Sequence, residues 1–192
     1  MRGVIFLERK VAEKWLKEEV SSESLIKHSY AVEASMRAYA EKFNEDPEVW
    51  GVCGLLHDID FEKYPEDHPR IGYKWLQEKG FDETFSLAVL GHGDHTNTPR
   101  ETQLAKTLYA VDELSSFVVA VALVRPEKLN GISAKSIKKK LKDKAFARAV
   151  SREGINIGSE ALGVELTDHI NTVIQGLQAF EDTLNQKGES LL

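Results

Sequence analysis

The chain carries one cysteine, Cys53, in 192 residues. A lone thiol cannot close an internal disulfide, so no disulfide framework supports the fold and nothing points to an oxidising compartment. Within the apolar run Gly51-Val52-Cys53-Gly54-Leu55-Leu56 it reads as a small buried apolar residue rather than a nucleophile. Long hydrophobic runs are missing too. No stretch approaches the roughly 20 apolar residues that span a bilayer, and Val4-Ile5-Phe6-Leu7 is too short for a signal peptide. The expectation is a cytoplasmic protein with no membrane partner. Apolar–polar alternation, internal repeats, low-complexity tracts and clear linkers are also absent, which argues against a sheet and against a multi-domain chain.

What the chain does have is helical periodicity. Leu7, Val11, Trp15 and Leu16 form a first stripe over about residues 7–20. Ser22 can cap a second helix to about Phe43, with Leu25, His28, Val32, Met36 and Tyr39 on its inner face. Asp46-Pro47 opens a third helix that ends at His57-Asp58. His68-Pro69 starts another, stopped by Gly80, and Asp82 caps a short one ending near His92. A long helix runs from about Arg100 to Val124 with Leu104, Leu108, Val111 and Ser115 inward. Ser133 caps a basic helix, short helices occupy about 146–163, and an amphipathic helix closes the chain from about Glu165 to Gln186. One all-α domain over residues 1–192 is expected, of a length that can bury a sizeable core.

Charge is unevenly spread. The net is −6, yet Arg125 to Arg152 holds ten basic and two acidic residues, a local +8 that leaves −14 for the rest. A solvated basic helix is the plain reading of such a run. Beside an anion-binding site it could instead supply a positive field, with Arg125, Lys128, Lys135, Lys138 and Lys139 as candidate substrate clamps. Nucleic acid is disfavoured, because only Phe146 interrupts the basic stretch as an aromatic and the remainder repels phosphate backbones.

The chemistry-bearing residues are His28, His57-Asp58, His68, His92 and Asp112. Each has an ordinary explanation alone: a hydrogen-bonded core histidine, a helix start, a cap, an ion pair. His169, on the last helix, reads as structural or exposed. The conjunction is harder to dismiss, since inward or terminal positions on several helices supply imidazoles and carboxylates, the donors of divalent metals. Neighbouring helical residues differ by about 100° in direction, so His57 and Asp58 reach one ion only at a helix end, where the sequence puts them. Asp112 sits in an apolar stretch, a costly place for an uncompensated carboxylate.

The order His28 … His57-Asp58 … Asp112, with Gly54-Leu55-Leu56-His57-Asp58-Ile59 and His68-Pro69-Arg70-Ile71-Gly72, resembles the HD superfamily of metal-dependent phosphohydrolases over about residues 22–124. Leu123 to Pro126 with Lys135 to Lys140 is similar to a smaller subgroup of those hydrolases. The resemblance implies a compact HD-type helical bundle with additional C-terminal helices. His28, His57, Asp58 and Asp112 would hold a first divalent ion. Asp58 would bridge as the catalytic carboxylate to a second ion held by His68 and His92. The ions would be Mn, Fe, Co, Ni or Zn, with Mg also compatible. The implied reaction is hydrolysis of a phosphate ester or anhydride in a small anionic, nucleotide-like substrate. Two departures stand out: Asp60 replaces a glycine common after the His-Asp-Ile stretch, and Lys63 lies two residues beyond the usual lysine position. Asp60, Glu62 and Asp94 are the candidates for a proton donor. The same six residues would equally suit a di-iron HD-type oxygenase, and a metal-stabilised binding or regulatory module without turnover is a third reading. A homo-oligomer is compatible with the sequence.

Overall fold

The computed structural model describes residues 8–192; the apolar stretch Val4 to Leu7 lies outside the described residues. These contain nine α-helices, one short 3-10 turn at Asp94–Thr96, and no strand. The helices are α1 (Arg9–Glu19), α2 (Glu23–Phe43), α3 (Pro47–Leu56), α4 (Arg70–Glu78), α5 (Glu83–Gly91), α6 (Gln103–Leu123), α7 (Ala134–Leu141), α8 (Arg152–Leu162) and α9 (Leu166–Asn185). None is long and apolar enough to cross a membrane.

Local chemistry sets most helix starts. Ser22, Asp46, Asp82, Thr102, Ser133, Ser151 and Glu165 each accept a backbone N–H from the first turn of the helix that follows. Such a cap contributes about 1 kcal/mol and satisfies one of the orphan donors. At α7 the capping is reciprocal, because Ser136 Oγ also accepts the Ser133 N–H. Gly80, at φ 91°, ends α4 in a conformation that side chains with a Cβ resist.

The first helix departs from the expected stripe. Ala12 and Leu16 are buried and Val11 is exposed, because the i, i+4 pair that meets the core is Ala12–Leu16. Trp15 instead packs edge-on against Trp75 of α4 at 5.4 Å. Elsewhere the inward positions are as anticipated: Val32, Met36, Tyr39, Leu104, Leu108, Val111 and Ser115 are all buried. Cys53 is buried as well, and burial pushes its thiol pKa up, away from reactivity.

Helix α2 is the axis of the assembly and packs on α3, α6 and α9, while α6 packs in turn on α5 and α8. Side chains of these helices form one continuous apolar core, with Met36, Tyr39, Leu55, Leu108, Phe117 and Ile170 fully enclosed. Close approach of α3 to α2 depends on Gly54, where a Cβ would stand 2.9 Å from the Glu33 nitrogen and the Val32 oxygen. That contact matters because it brings the end of α3 beside the second turn of α2.

His169 ties α9 to this axis. Its Nε2 faces the Ala110 carbonyl at 3.0 Å, which can only accept, so Nε2 carries the proton and Nδ1 accepts the Tyr39 hydroxyl. Burial lowers its pKa from 6.5 to about 4. The unfolded chain therefore takes up this proton before the folded one does. The stabilisation is full above about pH 6.5 and is lost as pH falls towards 4. Denaturant titrations should find wild type more stable than His169→Gln at pH 7, with the gap narrowing by about 2–3 kcal/mol at pH 4.5. A gap independent of pH would mean that His169 is not held neutral.

Candidate metal centre

Helix α3 stops at Leu56, which leaves His57 as its C-cap and Asp58 on the following turn. Helix α5 stops in the same way at His92. The negative ends of two helix dipoles therefore point into one region, a setting that favours a cation. His28 enters from the second turn of α2, Asp112 from the middle of α6, and His68 from the turn preceding α4.

These six side chains converge. His28 Nε2 lies 3.1 Å from His57 Nε2, 3.1 Å from Asp112 Oδ1 and 3.4 Å from Asp58 Oδ2. His57 Nε2 is 3.4 Å from Asp58 Oδ1 and 3.6 Å from Asp112 Oδ1. On the other side, His68 Nε2 and His92 Nε2 are 3.1 Å apart and stand 3.4 and 3.3 Å from Asp58 Oδ1. Asp58 is shared by both groups.

The opposite ring nitrogens are all engaged. His57 Nδ1 donates to the Gly54 carbonyl at 2.7 Å and His92 Nδ1 to the Val89 carbonyl at 2.5 Å. His68 Nδ1 meets Asp60 Oδ1 at 2.7 Å, and His28 Nδ1 meets the Ser116 hydroxyl at 2.9 Å. A proton fixed on Nδ1 leaves a lone pair on Nε2 in the neutral ring. The short Nε2–Nε2 contacts therefore set lone pair against lone pair unless a cation or a proton lies between. Metal–nitrogen bonds of about 2.0–2.1 Å would put neighbouring ligand atoms roughly 2.9–3.4 Å apart. The contacts fall in or close to that range, so the residues fit divalent ions, and the His–Asp cluster could hold a metal.

The electrostatics agree. Burial acts to lower the His28 pKa, but the Asp112 and Asp58 carboxylates overcome it and push it up to about 10. Burial opposes a raised pKa at His92 too, and Asp58 prevails. Burial would raise both aspartates; nearby imidazoles hold Asp58 well below the carboxylate range, and His28 and His57 do the same for Asp112. The site is thus built around ionised carboxylates that draw positive charge inward.

Asp60 is buried. Its Oδ1 holds His68 and its Oδ2 accepts the Gly72 N–H at 2.6 Å. Gly72 allows this close approach, since a Cβ there would stand 3.2 Å from the Asp60 carboxyl. The substitution for the common glycine is therefore a positioning carboxylate of the kind that orients metal-bound histidines. Glu62 is likewise engaged, accepting the N–H groups of Ser21 and Ser22 where α2 begins. Lys63 pairs with Glu19 of α1.

A cavity of about 300 Å³ opens on the centre, lined by Asp58, His68, His92 and Asp112 together with Phe61, Asp94, Tyr109 and Glu113. Glu113 escaped notice in the sequence, although it directly follows Asp112. Burial raises its pKa, and its Oε2 accepts the Ser151 N–H at 3.0 Å. His95, which reads as a loop residue, donates from Nε2 to the His68 carbonyl at 2.7 Å.

The five candidate clamps are not among the residues lining this cavity. Ala134 and Ile137 bury one face of α7, which packs chiefly on α9 and turns its lysines outward. Lys138 donates to Thr167 Oγ1 at 2.9 Å, Lys128, Lys135 and Lys139 are exposed, and Arg125 caps the carbonyls of Lys128 and Asn130. Arg152 is spent similarly, on the carbonyls of Asp143, Phe146, Ala147 and Val150. The basic run serves its own backbone, neighbouring side chains such as Thr167 and Asp143, and the solvent.

Helices arranged around a buried His–Asp cluster able to take divalent cations define the class. Residues 25–116 match the family model for the HD domain, a match consistent with the HD superfamily of metal-dependent phosphohydrolases. HD domains bind divalent metals, and the family consists generally of phosphohydrolases. All six converging residues fall within the match, and α7, α8 and α9 lie beyond it. No curated protein and no solved structure matches the chain.

Two outcomes follow from this geometry. Asp60→Asn presents an amide NH₂ to the Gly72 N–H or to the His68 proton, and should weaken binding of a second Mn²⁺ about 10- to 100-fold by calorimetry. Equal affinity would remove Asp60 from any positioning role. Replacing Lys138, Lys139 and Lys140 together by Gln should leave KM for p-nitrophenyl phosphate within about twofold of wild type, because none of the three lines the cavity.

Proposed function

We propose that the chain is a metal-dependent hydrolase of phosphate esters in small molecules. His28, His57, Asp58 and Asp112 hold one divalent ion, and His68, His92 and Asp58 hold another. The carrying observation is the convergence of four Nε2 atoms around the Asp58 carboxylate while every Nδ1 is fixed from behind. Bound there, divalent ions supply Lewis acidity towards a phosphoryl group and lower the pKa of water.

The protein's own contribution is orientation and access. Asp58 keeps one oxygen towards His28 and the other towards His57, His68 and His92, an arrangement that would let it serve two ions at once. The cavity leads a substrate to Asp58 and Asp112, and the ring of Phe61, edge-on to His68 at 5.1 Å, walls one side. Asp94 lies within the same cavity, tied to Arg100 and near the Tyr109 hydroxyl, and is the carboxyl group best placed to exchange protons with solvent. The expected partners are the metal ions and a small phosphate-bearing substrate.

Elemental analysis of the purified protein, followed by phosphate release from p-nitrophenyl phosphate and nucleoside monophosphates with Mn²⁺, Co²⁺, Ni²⁺ or Mg²⁺, tests the reading. His28→Ala and Asp112→Ala should each lose metal and lower kcat/KM by at least about a thousandfold, since each removes an ion ligand. His68→Ala or His92→Ala should reduce stoichiometry towards one ion while the first stays partly occupied. Full activity and metal content in the first pair would overturn the assignment. Substrate-dependent O₂ consumption by iron-loaded protein, with no phosphate released, would favour the oxygenase alternative.

A further inference from the structure

The cavity beside the candidate metal centre is electrically one-sided. Four carboxylates line it, Asp58, Asp94, Asp112 and Glu113, and no lysine or arginine does so among the described residues. Of the arginines around it, Arg70 donates from Nη2 to the His95 carbonyl at 3.2 Å, Arg152 spends its Nη donors on backbone carbonyls, and Arg100 is committed as well. Its Nε donates to the Gly91 carbonyl at 2.6 Å, its Nη2 pairs with Asp94, and its guanidinium stacks on the Tyr109 ring at 3.5 Å. Asp94 is thereby compensated. Glu113 differs: its Oε2 takes the Ser151 N–H, and neither a cation nor any hydrogen-bond donor meets Oε1 among the described residues.

Such a lining restricts what can enter. Two divalent ions can balance the charge of one phosphate monoester. Each further phosphate would add negative charge beside Glu113, where the Arg152 guanidinium already has its Nη donors on backbone carbonyls. A half-buried carboxylate oxygen that loses water to an incoming ligand must also recover a hydrogen bond, or the desolvation is uncompensated. A substrate that supplies a donor at that position is favoured over one that does not.

We propose that Glu113 determines substrate specificity: the pocket takes phosphate monoesters whose alcohol part offers a hydrogen-bond donor to Glu113, and it turns away di- and triphosphates. The inference rests on the phosphohydrolase reading and narrows its substrate class. A hydroxyl or an ammonium group would each meet the requirement. Glutamine in place of Glu113 would keep an oxygen for the Ser151 N–H and offer an amide N–H where the substrate now meets Oε1. That change opposes a donor-bearing ligand and welcomes extra phosphate oxygens.

The test uses the full-length protein loaded with Mn²⁺. Phosphate release and binding by calorimetry are measured for propyl phosphate, glycerol 1-phosphate, phosphoethanolamine, AMP and ATP, in wild type and Glu113→Gln. Wild type should favour glycerol 1-phosphate or phosphoethanolamine over propyl phosphate, and AMP over ATP, by at least about tenfold. Whichever of the two donor-bearing probes wins identifies the donor as hydroxyl or ammonium. Within Glu113→Gln both ratios should fall towards one, whatever its absolute rate. Ratios near one in wild type, or unchanged in the variant, overturn the role of Glu113. If no probe releases phosphate, the hydrolase reading fails separately, and the same ratios taken from dissociation constants still decide whether Glu113 selects the ligand.

Discussion

Drawing the Asp58 and Asp112 carboxylates together in the interior is a costly local demand, and the surrounding architecture answers it. Among the described residues neither aspartate has a lysine or arginine partner; both face imidazoles that become positive only by holding a proton. An ionised carboxylate in such a place is strongly disfavoured without a counter-charge. Two helix ends, four histidines and two aspartates accordingly form a receptor for positive charge. The tight contact of α3 with α2 at Gly54 belongs to the same demand, since it sets His57 against His28.

The histidines are held by two kinds of support. His57 and His92 use carbonyls three residues back on their own helices, an arrangement any helix end offers. His28 and His68 depend on partners outside their own helical turns, Ser116 of α6 and Asp60 of the preceding loop. The latter pair couples the centre to α6 and to the start of α4. Packing errors in those helices would thus misdirect individual rings without touching a ligand.

The same distinction explains what the sequence reveals. Caps at Ser22, Asp46, Asp82 and Ser133 are legible because capping is a matter of a few adjacent residues. The six converging residues are legible through their order and their place at helix ends or inward faces. Asp60 looks like a surface acid in a polar turn, and only the approach of Gly72 and His68 reveals it as buried. Glu113 is hidden by its neighbour, because one helical step from Asp112 does not say which side faces a cavity. The basic run misleads in the other direction. Its charge is plain in the sequence, but which face of α7 packs on α9, and how Arg125 and Arg152 spend their donors, depends on the tertiary fold.

The carbonyls of Gly54 and Val89, each receiving an imidazole proton, lie in the last turns of α3 and α5. Final turns are where helices ordinarily fray, opening and closing far more often than the molecule unfolds. Here fraying would swing His57 or His92 away from the centre, so loss of an ion and opening of a helix end become a single event. Ion occupancy and the hydrogen-exchange protection of those two turns are therefore thermodynamically linked. A bound ion would act as a rivet for the ends of α3 and α5, and the dynamics of these short segments would set how long it stays.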